Sequence, residues 1–178
     1  MTTLKGRTLL MSGGSRGIGL AIAVRAARDG ANVVLLAKTD RPHPRLPGTV
    51  HTAVAEIEQA GGQAAAVVGD VRRDDDAERA VTTAVDRFGG IDVVVNNASA
   101  LDLRSTPDIP MKSYDLMQDI NARGTFLLSK LALPHLASSD RAHILTLSPP
   151  LDTAPTTASY LPQVVLLPWA AVPVRRTR

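Results

Sequence analysis

The chain has 178 residues, 44% of them hydrophobic and 21% charged, which favours one globular domain with a buried core. It has no cysteine, which excludes disulfides and thiolate metal sites, and it has neither an apolar leader nor a long apolar run. Residues 151–178 hold three arginines and one aspartate, so they carry +2 of the net charge of +3. The first 150 residues are therefore nearly neutral, and we expect a cytoplasmic protein with no membrane span and no nucleic-acid partner.

Hydrophobic periodicity predicts alternating strands and helices up to about residue 150. In chain order we expect a strand at 8–11, a helix from 18 to 29, a strand at 32–37, a proline-rich loop at 38–48, a helix from 50 to 60, a strand at 65–68, a helix from 74 to 88, a strand at 91–95, a loop to 112, a helix from 113 to 136 and a strand at 142–148. Ile18, Ile22 and Ala26 form the predicted apolar face of the first helix. After residue 150 the periodicity stops, and we expect an irregular tail at 151–178.

This alternation predicts an α/β fold with a doubly wound parallel sheet. In such a sheet the ligand lies beyond the carboxyl ends of the strands, where Gly13, Lys38, Asp70, Asn97 and Ser148 fall. The four histidines are scattered, without metal-like spacing or a carboxylate partner, so no metal site is expected.

The glycine-rich stretch at residues 12–19 (SGGSRGIG) lies between the first strand and the first helix. Gly13 permits a tight turn, Gly17 lets the backbone approach a pyrophosphate, and Gly19 allows close helix packing. The helix N-terminus would add free N–H groups and a positive dipole for the phosphates. A plain glycine-rich loop is the alternative interpretation.

Together, these motifs resemble those of the short-chain dehydrogenase/reductase family. Residues 12–19 match its glycine signature with Ser for the usual Thr, and residues 96–99 (NNAS) match its N-N-A-G element with Ser for Gly. Asp70 and Val71 look like the pair that meets the adenine ring, and Asn121 looks like the active-site asparagine. Residues 37–44, 97–100 and 147–151 resemble the hydroxysteroid-dehydrogenase-like subgroup. The resemblance covers residues 4–151.

The resemblance implies a Rossmann-type NADP-binding domain at 1–150, incomplete because the C-terminal strands and helices of the family are missing. It implies cofactor contacts from Gly13, Ser15, Arg16, Gly17, Ile18, Gly19, Lys38, Asp70, Val71, Asn97, Ala98 and Ser99. Charge favours NADP(H) over NAD(H), because Lys38 stands where NAD-preferring enzymes place a carboxylate and Arg16 could join it at a 2′-phosphate. The alternatives are solvated cations at Arg16 and Lys38 and a strand-end cap at Asp70.

The family uses a Tyr and a Lys four residues later as its acid/base pair, with a Ser at the end of the fifth strand. This sequence contains no Tyr-x-x-x-Lys, because Gln118 follows Tyr114 and Val164 follows Tyr160 at that distance. Asn121 and Ser148 are therefore the catalytic candidates, and Tyr160 is a weaker one.

The resemblance implies hydride transfer between NADP(H) and a small carbonyl or alcohol substrate. A dinucleotide-binding module without turnover and an unstable truncated product are the alternatives. The abrupt tail suggests a frameshift or truncation after about residue 151. The family forms homo-oligomers, and we expect that interface to be incomplete in this chain.

Overall fold

The structure is a computed structural model that describes residues 3–44 and 46–148. Its strands are β1 (Thr8–Ser12), β2 (Asn32–Ala37), β3 (Gln63–Val68), β4 (Val93–Asn96) and β5 (His143–Thr146). Its α-helices are α1 (Gly17–Arg28), α2 (Val50–Gln59), α3 (Asp74–Phe88), α4 (Met111–Met117) and α5 (Thr125–Leu136). A 3-10 turn (Thr106–Asp108) precedes α4, and a π-helical segment (Gln118–Gly124) joins α4 to α5.

The five strands form one parallel sheet in the order β3-β2-β1-β4-β5, which confirms the predicted doubly wound α/β fold. The strand order reverses between β1 and β4, so the topological switch point lies there. Ser12 is in register with Leu36 on one side and with Asn96 on the other, and Ala37 is in register with Val68. The residues that follow these strands are therefore brought to one edge of the sheet.

Two apolar cores lie on the two faces of the sheet. Helices α1 and α2 cover one face with alanine, valine and isoleucine side chains, and α3 and α5 cover the other. Both faces of β1 and β2 are buried, which explains why these strands are almost continuously apolar in sequence. The many alanines on the helices let them approach the sheet closely in a chain that is only 3% aromatic.

Local capping sets several helix ends. Thr49 and Thr52 form a reciprocal capping box at the start of α2, and three aspartates (74–76) lie in the first turn of α3, where negative charge favours the helix dipole. Gly89 ends α3 with φ of +83°, a left-handed conformation that suits glycine.

Several predicted boundaries and one predicted face differ from the structure. Strand β3 begins two residues earlier than expected, and β4 begins at Val93 instead of Ile91. The predicted buried face of α1 is confirmed at Ala26 but is wrong at Ile18, which is 68% exposed, and Ala23 is buried as well. The predicted helix at 113–136 starts at Met111 and is interrupted by the π-helical segment.

At the amino ends of the strands, Arg7 joins three parts of the sheet. Its Nη1 donates to Asp92 Oδ1 at 2.9 Å and to Asp140 Oδ1 at 2.5 Å. Asp92 also accepts from the Thr8 N–H at 2.9 Å and from Ser139 Oγ at 2.6 Å. This cluster links the start of β1 to the residues that precede β4 and β5.

The expected tail at residues 151–178, and with it Tyr160, lies outside the described residues. Among the helices of the described part, none combines the length and the apolar character needed to cross a membrane.

Candidate functional site

A cleft of about 410 Å³ opens at the carboxyl edge of the sheet, around the switch point between β1 and β4. Ten of the twelve predicted cofactor-contacting residues line it: Gly13, Ser15, Arg16, Ile18, Lys38, Asp70, Val71, Asn97, Ala98 and Ser99. Five further residues that were not among the predicted contacts also line the cleft: Leu36, Ala37, Thr39, Gly69 and Ile120. Gly17 and Gly19 are not lining residues, and neither are Asn121 and Ser148.

Gly13 makes the turn from β1 toward α1. Its φ of +75° lies in the left-handed region, and its N–H donates to the Leu36 carbonyl at 2.9 Å. A Cβ at this position would lie 2.7 Å from the Ala98 Cα. Glycine is therefore required here by both conformation and space.

Asn97 holds the glycine-rich turn against the end of β4. Its Nδ2 donates to the Gly13 carbonyl at 2.7 Å, and a Cβ on Gly19 would lie 2.6 Å from the same Nδ2. The close approach at Gly19 is thus made to the Asn97 side chain and, at the same 2.6 Å, to the Gly13 carbonyl oxygen. The buried Ser12 hydroxyl accepts from the N–H groups of Asn97 and Ala98, both at 3.2 Å, and fixes the two loops to each other.

Gly17 is the first residue of α1 and has open space beside it. Its φ is +58°, and a Cβ there would meet nothing within 4 Å. The preceding residue, Arg16, is the N-cap, and its side chain makes no capping hydrogen bond to the first N–H groups of α1. The first turn of α1 therefore offers N–H donors at the cleft, as an anion requires.

Two cations lie where β2 ends. Arg16 Nη2 donates to Thr39 Oγ1 at 2.6 Å and to the Gly48 carbonyl at 3.4 Å. The Lys38 ammonium is 3.6 Å from Asp70 Oδ2, and its side chain is 59% exposed. Both predicted cations thus line the cleft, and each has a protein partner.

Asp70 follows β3 and is bound by the arginine two residues later. Its Oδ2 accepts from Arg72 Nη2 at 2.6 Å, and its Oδ1 accepts from the Arg72 N–H at 3.1 Å. The Arg72 hydrogen bond lowers the pKa of Asp70 to about 2, against the opposing effect of burial, and Lys38 contributes further lowering. The Asp70 side chain thus caps the turn that follows β3 by accepting from the Arg72 N–H, as the alternative interpretation of Asp70 as a strand-end cap predicts.

The catalytic candidates lie beside the cleft. Asn121 is on the π-helical segment, where its Oδ1 accepts from the Ala100 N–H and its Nδ2 donates to the Ala100 carbonyl, both at 2.9 Å. Ser148, the last described residue, is exposed and lies two residues beyond β5. The described residues contain no group of three or more histidine, aspartate or glutamate side chains arranged to hold a metal ion. The expectation that the histidines lack a carboxylate partner is wrong for His51, which contacts Asp40 Oδ1 at 2.7 Å.

Of the five lining residues that were not predicted, four could have been predicted from the sequence and one could not. Leu36, Ala37 and Thr39 stand at the end of β2 and Gly69 at the end of β3, so the rule that ligands lie beyond strand ends could have found them. Ile120 lies on a helix and reaches the cleft through tertiary packing, for which the sequence holds no local signal.

Comparisons with known proteins agree with this geometry. A family model described as short chain dehydrogenase matches residues 7–156. Hydroxysteroid dehydrogenase-like protein 2 of Xenopus tropicalis is 58% identical over 152 residues, which are 85% of this chain and 36% of the relative. The chain therefore spans about a third of the length of this curated relative.

Solved structures give the same result. A short chain dehydrogenase from Mycobacterium thermoresistibile is 52% identical with a TM-score of 0.87, and the match covers 92% of this chain and 59% of that one. An NADH-dependent reductase, A1-R′, complexed with NAD, is 28% identical with a TM-score of 0.76 over 92% of this chain and 69% of that one. With the family model matching most of its length, this chain belongs to the short-chain dehydrogenase family.

Proposed function

We propose that this chain binds a nicotinamide dinucleotide, with NADP(H) preferred over NAD(H), and that it derives from an oxidoreductase acting on small carbonyl or alcohol substrates. The observation that carries the proposal is the cleft at the switch point, with the uncapped first turn of α1 and the open space at Gly17 beside it. The structure of the NADH-dependent reductase A1-R′, which is 28% identical to this chain and is complexed with NAD, supports the proposal.

The residues present fit such a cofactor. The N–H groups at the start of α1 would hold the pyrophosphate, because they lack intrahelical partners and face open space at Gly17. Val71, which is buried at the cleft wall, and Asp70 would border the adenine end. Asn97, Ala98 and Ser99 would border the other half of the cofactor. When bound, the nicotinamide ring supplies or accepts the hydride.

The preference for NADP(H) is proposed from charge. Arg16 and Lys38 lie at the end of β2, and position 38 holds a lysine where NAD-preferring enzymes place a carboxylate. A 2′-phosphate would attract both cations, whereas a 2′-hydroxyl would gain little from them.

Binding without turnover is the second candidate function. One observation favours it: the 178-residue sequence contains no Tyr-x-x-x-Lys pair to move the proton. Asn121 uses both polar atoms of its side chain on Ala100, so its role in this chain is to position the loop after β4. We propose that the chain binds cofactor and does not turn over a carbonyl substrate.

Fluorescence titration of the purified chain with NADPH and with NADH tests the binding proposal. We expect saturation by both and tighter binding of NADPH. Lys38→Ala should raise the Kd for NADPH about tenfold, the effect of losing one charge-assisted hydrogen bond, and should change the Kd for NADH little. Lys130→Ala, an exposed lysine on α5, is the matched control and should change neither.

A panel of ketones and aldehydes, added to the NADPH-loaded protein, separates the two functions. Oxidation of NADPH above the rate of the buffer would refute binding without turnover. Absence of saturation by either dinucleotide would refute both.

A further inference from the structure

We propose that Arg72, which does not line the cleft, determines the preference for NADP(H) by holding the Asp70 carboxylate and so leaving the Lys38 ammonium available to a 2′-phosphate. This inference rests on the proposed function and adds a specificity-determining residue to it.

The Asp70 carboxylate lies between two cations that approach it unequally. The Arg72 Nε donates to both carboxylate oxygens, at 3.1 and 3.0 Å, and its Nη2 donates to Oδ2 at 2.6 Å. Lys38 Nζ is 3.6 Å from that same Oδ2, which is beyond good hydrogen-bond distance. The carboxylate is 14% exposed, and the Lys38 side chain is 59% exposed. Arg72 therefore satisfies Asp70, and Lys38 remains close to it but turned toward solvent.

The Arg72–Asp70 pair belongs to a fixed turn. The Arg73 N–H donates to the Asp70 carbonyl at 2.9 Å, which closes the turn. Arg123, on the π-helical segment, donates to the Arg72 carbonyl at 2.5 Å and to Asp74 Oδ1 at 2.6 Å. The backbone of Arg72 is thus held from a second element, and its guanidinium reaches back over two residues to the carboxylate.

Removing the Arg72 charge would change the electrostatics at Lys38. Within the described residues, the ion pairs of Asp70 are those with Arg72 and Lys38, so Lys38 would become the remaining cation beside a partly buried carboxylate. The ammonium would move onto that carboxylate, because a short charge-assisted hydrogen bond there replaces the lost one. A 2′-phosphate would then meet a lysine already bound to the carboxylate, with one positive charge fewer beside it. A 2′-hydroxyl carries no charge, so the binding of NADH would weaken little.

The test compares dinucleotides in matched arginine variants. Arg72→Gln removes the charge and keeps a polar side chain, and we expect it to raise the Kd for NADPH about tenfold while the Kd for NADH changes less than about threefold. Arg73→Gln is the control, because it removes the same charge one residue further on, from a side chain that is 68% exposed and lies 3.6 Å from Asp76. It should leave the ratio of the two Kd values unchanged.

A double variant distinguishes the proposed electrostatic effect of Arg72 from a general loss of folding. In Asp70→Asn the carboxylate charge is absent, so adding Arg72→Gln should no longer change the ratio of Kd values. Three results would each overturn the inference. Arg72→Gln could weaken the binding of NADPH and NADH equally, or Arg73→Gln could change the ratio of the two Kd values as much as Arg72→Gln does. The ratio change could also persist in the Asp70→Asn background. Wild-type protein that binds neither dinucleotide would overturn the proposed function itself, whereas wild-type binding with an unaltered ratio in Arg72→Gln would overturn only the role of Arg72.

Discussion

Gly17 and Gly89 have similar backbone conformations in different surroundings, and the comparison isolates what Gly17 does. Their φ angles are +58° and +83°, and a Cβ at either would meet nothing within 4 Å. Gly17 begins α1 beside the cleft, whereas Gly89 ends α3 at the opposite edge of the sheet. Alanine at either position should cost about 1 kcal/mol in the free energy of unfolding, because a side chain disfavours positive φ.

We expect Gly17→Ala alone to weaken dinucleotide binding, by about tenfold or more, since its methyl group would fill the space that a pyrophosphate approaches. Urea unfolding measures the strain in both variants, and NADPH fluorescence measures the binding. Equal Kd values for Gly17→Ala and Gly89→Ala would show that no phosphate approaches this glycine.

Asn121 illustrates a residue whose sequence context and contacts point to different roles. The resemblance implies an active-site asparagine, yet its amide pairs on both sides with the backbone of Ala100. Asn121→Ala would leave that N–H and that carbonyl without a partner, and we expect a loss of about 2 kcal/mol in the free energy of unfolding. Asn121→Asp keeps the acceptor for the Ala100 N–H but places a carboxylate oxygen against the Ala100 carbonyl, so it should not recover the loss at neutral pH. A variant as stable as the wild type in chemical denaturation would refute the positioning role.

At the scale of elements, the cluster around Arg7 couples stability to pH. Burial raises the pKa of Asp92, but hydrogen bonds from Ser139, the Thr8 N–H and Arg7 outweigh it, so the net shift is downward. The Arg7 hydrogen bond also lowers the pKa of Asp140. Both carboxylates therefore bind protons more weakly in the folded chain than in the unfolded chain, where an aspartate titrates near pH 3.9.

The sign of the pH dependence follows from these shifts. The stabilisation is fully present above about pH 5 and is lost as the pH falls through 3.9 toward the folded pKa values. Asp92→Asn should cost about 2 kcal/mol at neutral pH and progressively less as the pH falls from 3.9 toward the lowered folded pKa, because the wild-type carboxylate then loses the charge that its hydrogen bonds stabilise. Unfolding by urea across this pH range measures the difference. A constant difference between the two proteins would contradict the assignment.

Strands and helices whose apolar residues follow a regular pattern could be predicted from the sequence. Strand β2 has the bounds that its apolar run predicts, and α3 has the bounds 74–88 that the sequence predicts. The π-helical segment could not be predicted, because its wider turn shifts the apolar phase that a 3.6-residue pattern assumes. The assignment of Ile18 is wrong for a different reason: α1 buries small alanines, which carry a weak hydrophobic signal, and exposes Ile18 at the cleft.

The site was predictable where a ligand motif is local and unpredictable where contacts are distant in sequence. Residues 12–19 predict a tight turn after β1, and Gly13 and Gly17 have positive φ there. The bond from Asn97 to Gly13 spans 84 residues, and the bond from Arg123 to Arg72 spans 51, so no local pattern encodes either. The Asp70–Arg72 pair is close in sequence, but its geometry depends on the turn that closes between them.

At the scale of the whole molecule, the helices cover the sheet unevenly. In the described part of the chain, β5 pairs on one side with β4 and has no strand on the other side. Ile144 packs toward α3 and α5, while Leu145 points to the opposite face and is 49% exposed. On α5, Phe126 and Leu133 are 53% and 42% exposed, with Lys130 on the same face between them. The described residues thus place exposed apolar side chains on an edge strand and on a helix.

We expect the edge strand to promote self-association more than the helix. An edge strand offers unpaired backbone groups together with its apolar side chain, whereas the backbone of α5 is hydrogen-bonded internally and Lys130 repels a second copy. Leu145→Lys should therefore lower the weight-average mass at high protein concentration, and the matched change Phe126→Lys should lower it less. Sedimentation equilibrium over a series of concentrations measures both. A larger effect of Phe126→Lys would assign association to the helix face, and two variants with the mass distribution of the wild type would exclude both surfaces.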